Sequence, residues 1–179
     1  EAEHLMGNAF TLLIGTGIVL TIIGLIFYKP ILYLFGASDD TFPYAGSYIR
    51  IYLLGTVFVM VSVGMNPFIN SQGFGNTGMI SVLIGAVLNI ILDPIFIFVL
   101  NLGVRGAAIA TIISQFCSTV WVLVFLTGKR AVLHLKWSCM WLRWKRVLRI
   151  ISLGVSSFIM AFTNSLVQVV CNATLQIYG

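Results

Sequence analysis

Charge is what this sequence has least of. Only 8% of its 179 residues are Asp, Glu, Lys or Arg and 59% are hydrophobic, against about 25% charged residues in ordinary soluble domains. With a mean hydropathy of +1.04, the chain cannot clothe a globular surface in polar groups. That excludes a soluble domain and leaves an integral membrane protein. Acids are scarcest: Glu1, Glu3, Asp39, Asp40 and Asp93 are all there are. The net charge of +5 is not a nucleic-acid footprint, because seven of the ten Lys and Arg fall between Lys129 and Arg149, beside apolar runs, which is the positive-inside pattern. Three cysteines, Cys117, Cys139 and Cys171, show no CxxC and no paired spacing. That excludes a disulfide framework or a cysteine zinc site and makes them reduced packing residues. His4 and His134 form no HExxH, no Ser sits in a GxSxG, and the glycines at Gly73-Phe74-Gly75 have no sheet before them, so the common enzymatic templates are missing. Asp39-Asp40 reads as a loop pair suited to capping a helix. No basic leader or initiating Met precedes Glu1-Ala2-Glu3-His4, and Tyr178-Gly179 falls inside an apolar run, so a segment of a longer membrane protein is expected.

What is present is a series of long apolar runs. Residues 10–28, 48–70, 79–100, 107–127 and 150–179 are each about long enough to cross roughly 30 Å of hydrocarbon as a helix. The predicted fold is an all-α membrane bundle of about five spans. Lys29-Pro30 is the expected end of the first, and a Gly-, Pro- and Asp-rich loop, Gly36 to Pro43, leads to the second. Arg50, near the outer end of that span, reads as a snorkelling end charge. From Lys129 to Arg149 the apolar residues Leu133, Trp137, Met140, Trp141, Trp144 and Leu148 recur every three or four positions among basic ones. This predicts a basic amphipathic helix lying in the cytoplasmic interface. Residues 1–127 then form one unit, 128–149 a linker and 150–179 the first helix of a second unit. The Glu1 end and the Ser71 to Gly78 turn lie on the linker's side, and Asp39-Asp40 on the other.

Inside the runs, polar residues recur at helical spacing: Ser62, Asn66 and Asn70; Asn89 and Asp93; Thr111, Gln115 and Ser118; Asn164, Gln168 and Asn172. Residues three or four apart share a face, and in lipid such faces turn toward one another or toward water. Amides and hydroxyls can act simply as interhelical glue at about 0.6 kcal/mol each. Glue does not need a charge, so Asp93, with Asn89 one turn away and Pro94 next to it, is the candidate functional group. Pro94 is the candidate hinge, because its missing N–H and its ring free carbonyls one turn earlier. Carboxylate, amide and carbonyl oxygens together suit Na⁺ or a titratable proton.

Leu-Asn-Ile-Ile-Leu-Asp-Pro-Ile-Phe at 88–96, with Met65-Asn66-Pro67 before it and Gly103-Val104-Arg105-Gly106-Ala107-Ala108 after it, resembles the multidrug and toxic compound extrusion family, in particular its MepA-like bacterial branch. Leu34-Phe35-Gly36-Ala37-Ser38 and Ile151-Ser152-Leu153-Gly154 extend the likeness over nearly the whole chain. The resemblance implies helices three to seven of a twelve-helix, two-lobe exporter in a bacterial cytoplasmic membrane. Residues 1–127 would belong to the N-lobe, and Asn66, Asn89, Asp93 and Thr111 would form its cation site. A further acid is implied on a helix outside this sequence. Where some branches carry a glutamate on helix seven, this chain offers Asn164, Gln168 and Asn172, which with Gln115 are candidate substrate-cavity residues.

The expected activity is cation-coupled antiport, with Na⁺ or H⁺ as coupling ion and no cofactor. The expected substrates are amphipathic, often cationic organic compounds held by aromatic and Met walls. The bilayer and the rest of the transporter are the other partners, and nucleic acid is not one. A lipid-linked precursor flippase of the same superfamily would want a more cationic cavity than these spans provide. An assembly module, its polar stripes serving only as glue, is the reading from another class, and dependence of efflux on Asp93 separates the two.

Overall fold

The computed structural model describes residues 1–178 and is all helical in its regular elements. Helix α1 is Ala2–Leu34, α2 Phe42–Leu54, α3 Thr56–Asn70, α4 Gly75–Pro94, α5 Val104–Thr127 and α6 Trp144–Tyr178, with a π-helical stretch Ile95–Val99 continuing α4 and a single 3₁₀ turn at Trp137–Cys139. Gly179, the expected limit of the last span, and the side chain of Trp137 in the basic stripe lie outside what is described. Four helices are long and apolar enough to cross a membrane, and the pair α2 and α3 makes a fifth when counted as one bent span.

Three expected boundaries change. Helix α1 does not stop at Lys29-Pro30 but runs through Pro30 to Leu34. A proline within the last turns costs at most one ladder bond near water, and 33 residues extend about 50 Å, well beyond the hydrocarbon. The single span expected over 48–70 is broken at Gly55, where α2 and α3 meet at 57°. An interrupted helix in lipid needs its carbonyls satisfied elsewhere: Leu53 O beside the break accepts Thr21 Oγ1 of α1 at 2.9 Å, and Phe58 O just past it accepts Thr119 Oγ1 of α5 at 2.8 Å.

The third correction concerns the linker. Residues 129–143 do not form an amphipathic helix, because their amides are spent on other segments. Gln72 Oε1 accepts Val132 N and Leu133 N, both at 2.8 Å, Glu3 Oε1 accepts His134 N at 3.2 Å, and Leu126 O accepts Leu135 N at 2.9 Å. Asn8, fully buried, donates through Nδ2 to Cys139 O and Trp141 O, both at 3.1 Å, and accepts Arg143 N at 2.9 Å. Gly7 permits the approach, since a Cβ there would lie 2.5 Å from Cys139 O. Outside the bundle, Lys136 Nζ reaches Glu3 Oε2 at 2.9 Å, and this hydrogen bond and charge hold the ammonium above the usual lysine range. The start of α1, the α3–α4 turn and the linker are thereby tied together at one end, as the charge pattern requires. Directly above them sits the core: Met6, Val61, Met65, Ile69, Val122, Leu126 and Leu135.

Helix α6 meets α1 in its first turns, where Val147 is buried, and its residues from Ile151 to Gln168 are exposed throughout.

Candidate cation and substrate site

Helices α3, α4 and α5 line an open cavity of about 480 Å³. Its floor is set by the contact between α4 and α5, where a Cβ on Gly85 would lie 2.7 Å from Ser118 Oγ, so a larger residue there would displace that hydroxyl. Ser118 Oγ then donates to Ser81 O at 2.8 Å, locking the two helices at that point. At the linker end of the cavity, Asn66 Nδ2 donates to Gly78 O at 2.9 Å and to Ser81 Oγ at 2.6 Å, and Asn70 Nδ2 donates to Asn66 Oδ1 at 3.0 Å. In its middle, Ser62 Oγ donates to Gln115 Oε1 at 3.1 Å.

The opposite end is lined by Asn89 and Thr111, and the acid stands one helical turn beyond it. Asn89 Nδ2 donates to Asp93 Oδ1 at 3.1 Å and reaches Thr111 Oγ1 at 3.4 Å, while the Thr111 hydroxyl donates to Ala107 O at 2.9 Å. Because the Thr111 proton is committed to Ala107, the threonine presents a lone pair to the same spot as the carboxylate. Two oxygens from neighbouring helices thus converge on one amide. Helix α4 runs through Pro94 and then changes to π winding over Ile95–Val99, with Leu100 N on Ile95 O at 3.0 Å. π turns inside helices are uncommon and recur at functional sites. Asp93 is half-buried and Pro94 is exposed.

Of the expected site residues, Asn89, Asp93 and Thr111 meet. Asn66 lines the same cavity but is not brought to Asp93: its partner Ser81 lies twelve positions before Asp93 on α4, about 18 Å along the axis. Gln115 lies on the cavity wall. Asn164, Gln168 and Asn172 are exposed on α6 and do not join the cavity, since among the described residues α6 contacts α1 and neither α4 nor α5. Sequence reasoning missed Ser81 and Ser114, both buried in the cavity wall. The signal for Ser81 was available, because Gly78, Ser81 and Gly85 continue the Asn89–Asp93 stripe backwards at the same three- and four-residue steps. Among the described residues no three His, Cys, Asp or Glu side chains gather, so the donor set of this cavity is hard oxygen.

A family model described as MatE matches residues 1–95, which is α1 to α4 with both Asn89 and Asp93. The multidrug export protein MepA of Staphylococcus haemolyticus is 30% identical over 163 residues, 91% of this chain and 36% of that protein. MepA of Staphylococcus aureus (strain NCTC 8325 / PS 47) is 27% identical over 166 residues, 93% of this chain and 37% of that protein. The chain therefore spans a little over a third of the length of the curated relatives it matches. Among solved structures, a MOP superfamily transporter from Pyrococcus furiosus and an outward-facing multidrug resistance MATE family transporter each superpose with a TM-score of 0.84 at 26% identity, over 92% of this chain and 37% of theirs. An inward-facing MATE transporter shares the fold at a TM-score of 0.72 and 22% identity, over 86% of this chain and 42% of its own. With the family model matching more than half of its residues, the chain belongs to the MatE family.

Proposed function

We propose that this chain supplies the coupling part of the N-lobe, with the linker and first helix of the second lobe, of a cation-coupled multidrug antiporter, a multi-pass protein of the bacterial cytoplasmic membrane that exports amphipathic, often cationic compounds. The observation that carries the reading is the Asn89 amide set between Asp93 Oδ1 and Thr111 Oγ1. Turning that amide by half a rotation replaces its NH₂ donor with its carbonyl oxygen, and three oxygens then face one point. That is a ligand set for Na⁺, or, with the amide left as it stands, a carboxylate poised for a proton. Ion and proton compete for the same oxygens, and the π-wound segment after Pro94 is the part of α4 free to rewind as the charge at Asp93 changes. The likeness to multidrug export proteins supports the drug side of the cycle, and the 480 Å³ cavity below the acid has the size of an organic ligand site.

The test is dye efflux from cells expressing the complete transporter that carries this segment. Asp93→Asn should abolish Na⁺- or pH-driven efflux while the amount in the membrane is unchanged. Normal efflux by that variant would remove Asp93 from the mechanism.

A further inference from the structure

A second cavity, of about 600 Å³, opens on the other flank of the α4–α5 seam near the linker, with Phe74, Ile80, Trp121 and Phe125 in its walls and Lys129 and Arg130 at its mouth. Ile80 is nine positions from Asn89, which at 3.6 residues per turn puts it about 180° around α4. The groove therefore faces away from the polar cavity, and its surroundings are apolar: Ile80 and Val124 are exposed hydrophobics on a helix pair long enough to span a bilayer. Trp121 lines the groove, is partly exposed and donates its indole Nε1–H to Thr77 O at 3.4 Å. Both cations are exposed, and among the described residues neither has an acid within 4.0 Å. The acids at this end, Glu1 and Glu3, are engaged by Arg149 and by Lys136 with His134. Two uncompensated positive groups thus stand at the cytoplasmic rim of an apolar groove with an aromatic wall.

We infer that this groove is a binding site for an anionic glycerophospholipid of the inner leaflet, its phosphate held by Lys129 and Arg130 and its first acyl methylenes laid between Ile80, Trp121 and Phe125. A neutral lipid fills the apolar part equally well but leaves both cations without a counter-charge. A free phosphate satisfies the cations but leaves the apolar walls uncovered. Paired basic residues beside a groove between membrane helices are the arrangement that recognises anionic headgroups. The inference depends on the sidedness and the groove, not on how Asp93 couples, so the two fail separately.

The test is native mass spectrometry of the detergent-purified full-length transporter titrated with phosphatidylglycerol, phosphatidylcholine or inorganic phosphate. Phosphatidylglycerol should be retained at least tenfold better than phosphatidylcholine, and Lys129→Gln with Arg130→Gln should weaken it by roughly thirtyfold, as two interfacial cations contribute. The equally charged control, Lys145→Gln with Arg146→Gln, should change it less than threefold. Trp121→Ala, which keeps every charge, should weaken it several-fold and keeps the test alive should the double variant fold poorly. Equal loss in the control pair, equal retention of phosphatidylcholine, or displacement of the lipid by millimolar phosphate would each overturn the assignment.

Discussion

Asn8 offers the sharpest test of how the linker is held. Its side chain is completely buried and makes three bonds across to the linker, to Cys139 O, Trp141 O and Arg143 N, besides one to His4 O at 2.8 Å in its own helix. Replacing it with Leu keeps the number and branching of its heavy atoms and removes every one of these bonds. Each net hydrogen bond contributes about 1 kcal/mol, and buried partners left unpaired cost more, so the linker should open more easily by about 3 kcal/mol. At 1.4 kcal/mol per factor of ten that is an increase of about a hundredfold in the open population. Cys139 is the reporter, since it is a free thiol only 4% exposed. With Cys117 and Cys171 replaced by Ser, the rate of maleimide labelling in membranes follows the open population when opening is fast. The Asn8→Leu variant should label about a hundredfold faster than its parent, and Asn8→Asp nearly as fast, because it loses both donors and sets a carboxylate against two carbonyls. A change of less than threefold, with insertion intact, would show that Asn8 does not hold the linker and that packing around Leu135 does.

Two further outcomes concern the cavity. Asn89→Ala should raise the half-maximal coupling-cation concentration about fivefold, equivalent to roughly 1 kcal/mol, while drug affinity moves less than twofold; a shift in the drug profile alone would make Asn89 a substrate contact. Gly85→Ala should cost about 1–3 kcal/mol by overpacking against Ser118, measured as SDS-induced unfolding. Adding Ser118→Ala should recover most of that loss, so a cycle with no coupling between the two would contradict the close approach of α4 and α5.

Much of the membrane architecture could be read from the order of residues alone. Hydropathy marks the spans because a helix in lipid satisfies its own backbone, and clustered Lys and Arg mark one end of the bundle, where the start of α1, the α3–α4 turn and the linker gather. Asp93 and Asn89 were legible together because a charge within an apolar run is costly enough to demand partners and four-residue spacing puts them on one face, whereas Thr111 was joined to them, as Asn66 was, only through the family resemblance. What the order of residues could not decide depends on contacts between distant segments. The break at Gly55 exists because Thr21 and Thr119 satisfy carbonyls beside it from two other helices. Residues 129–143 are not an α-helix because Asn8, Glu3 and Gln72, up to 135 positions away in sequence, take amides their periodicity would have used for its own ladder. The same limit separates Asn66 from Asp93. Periodicity tells which face of a helix is polar, but only packing against α4 decides at what depth that face meets the acid.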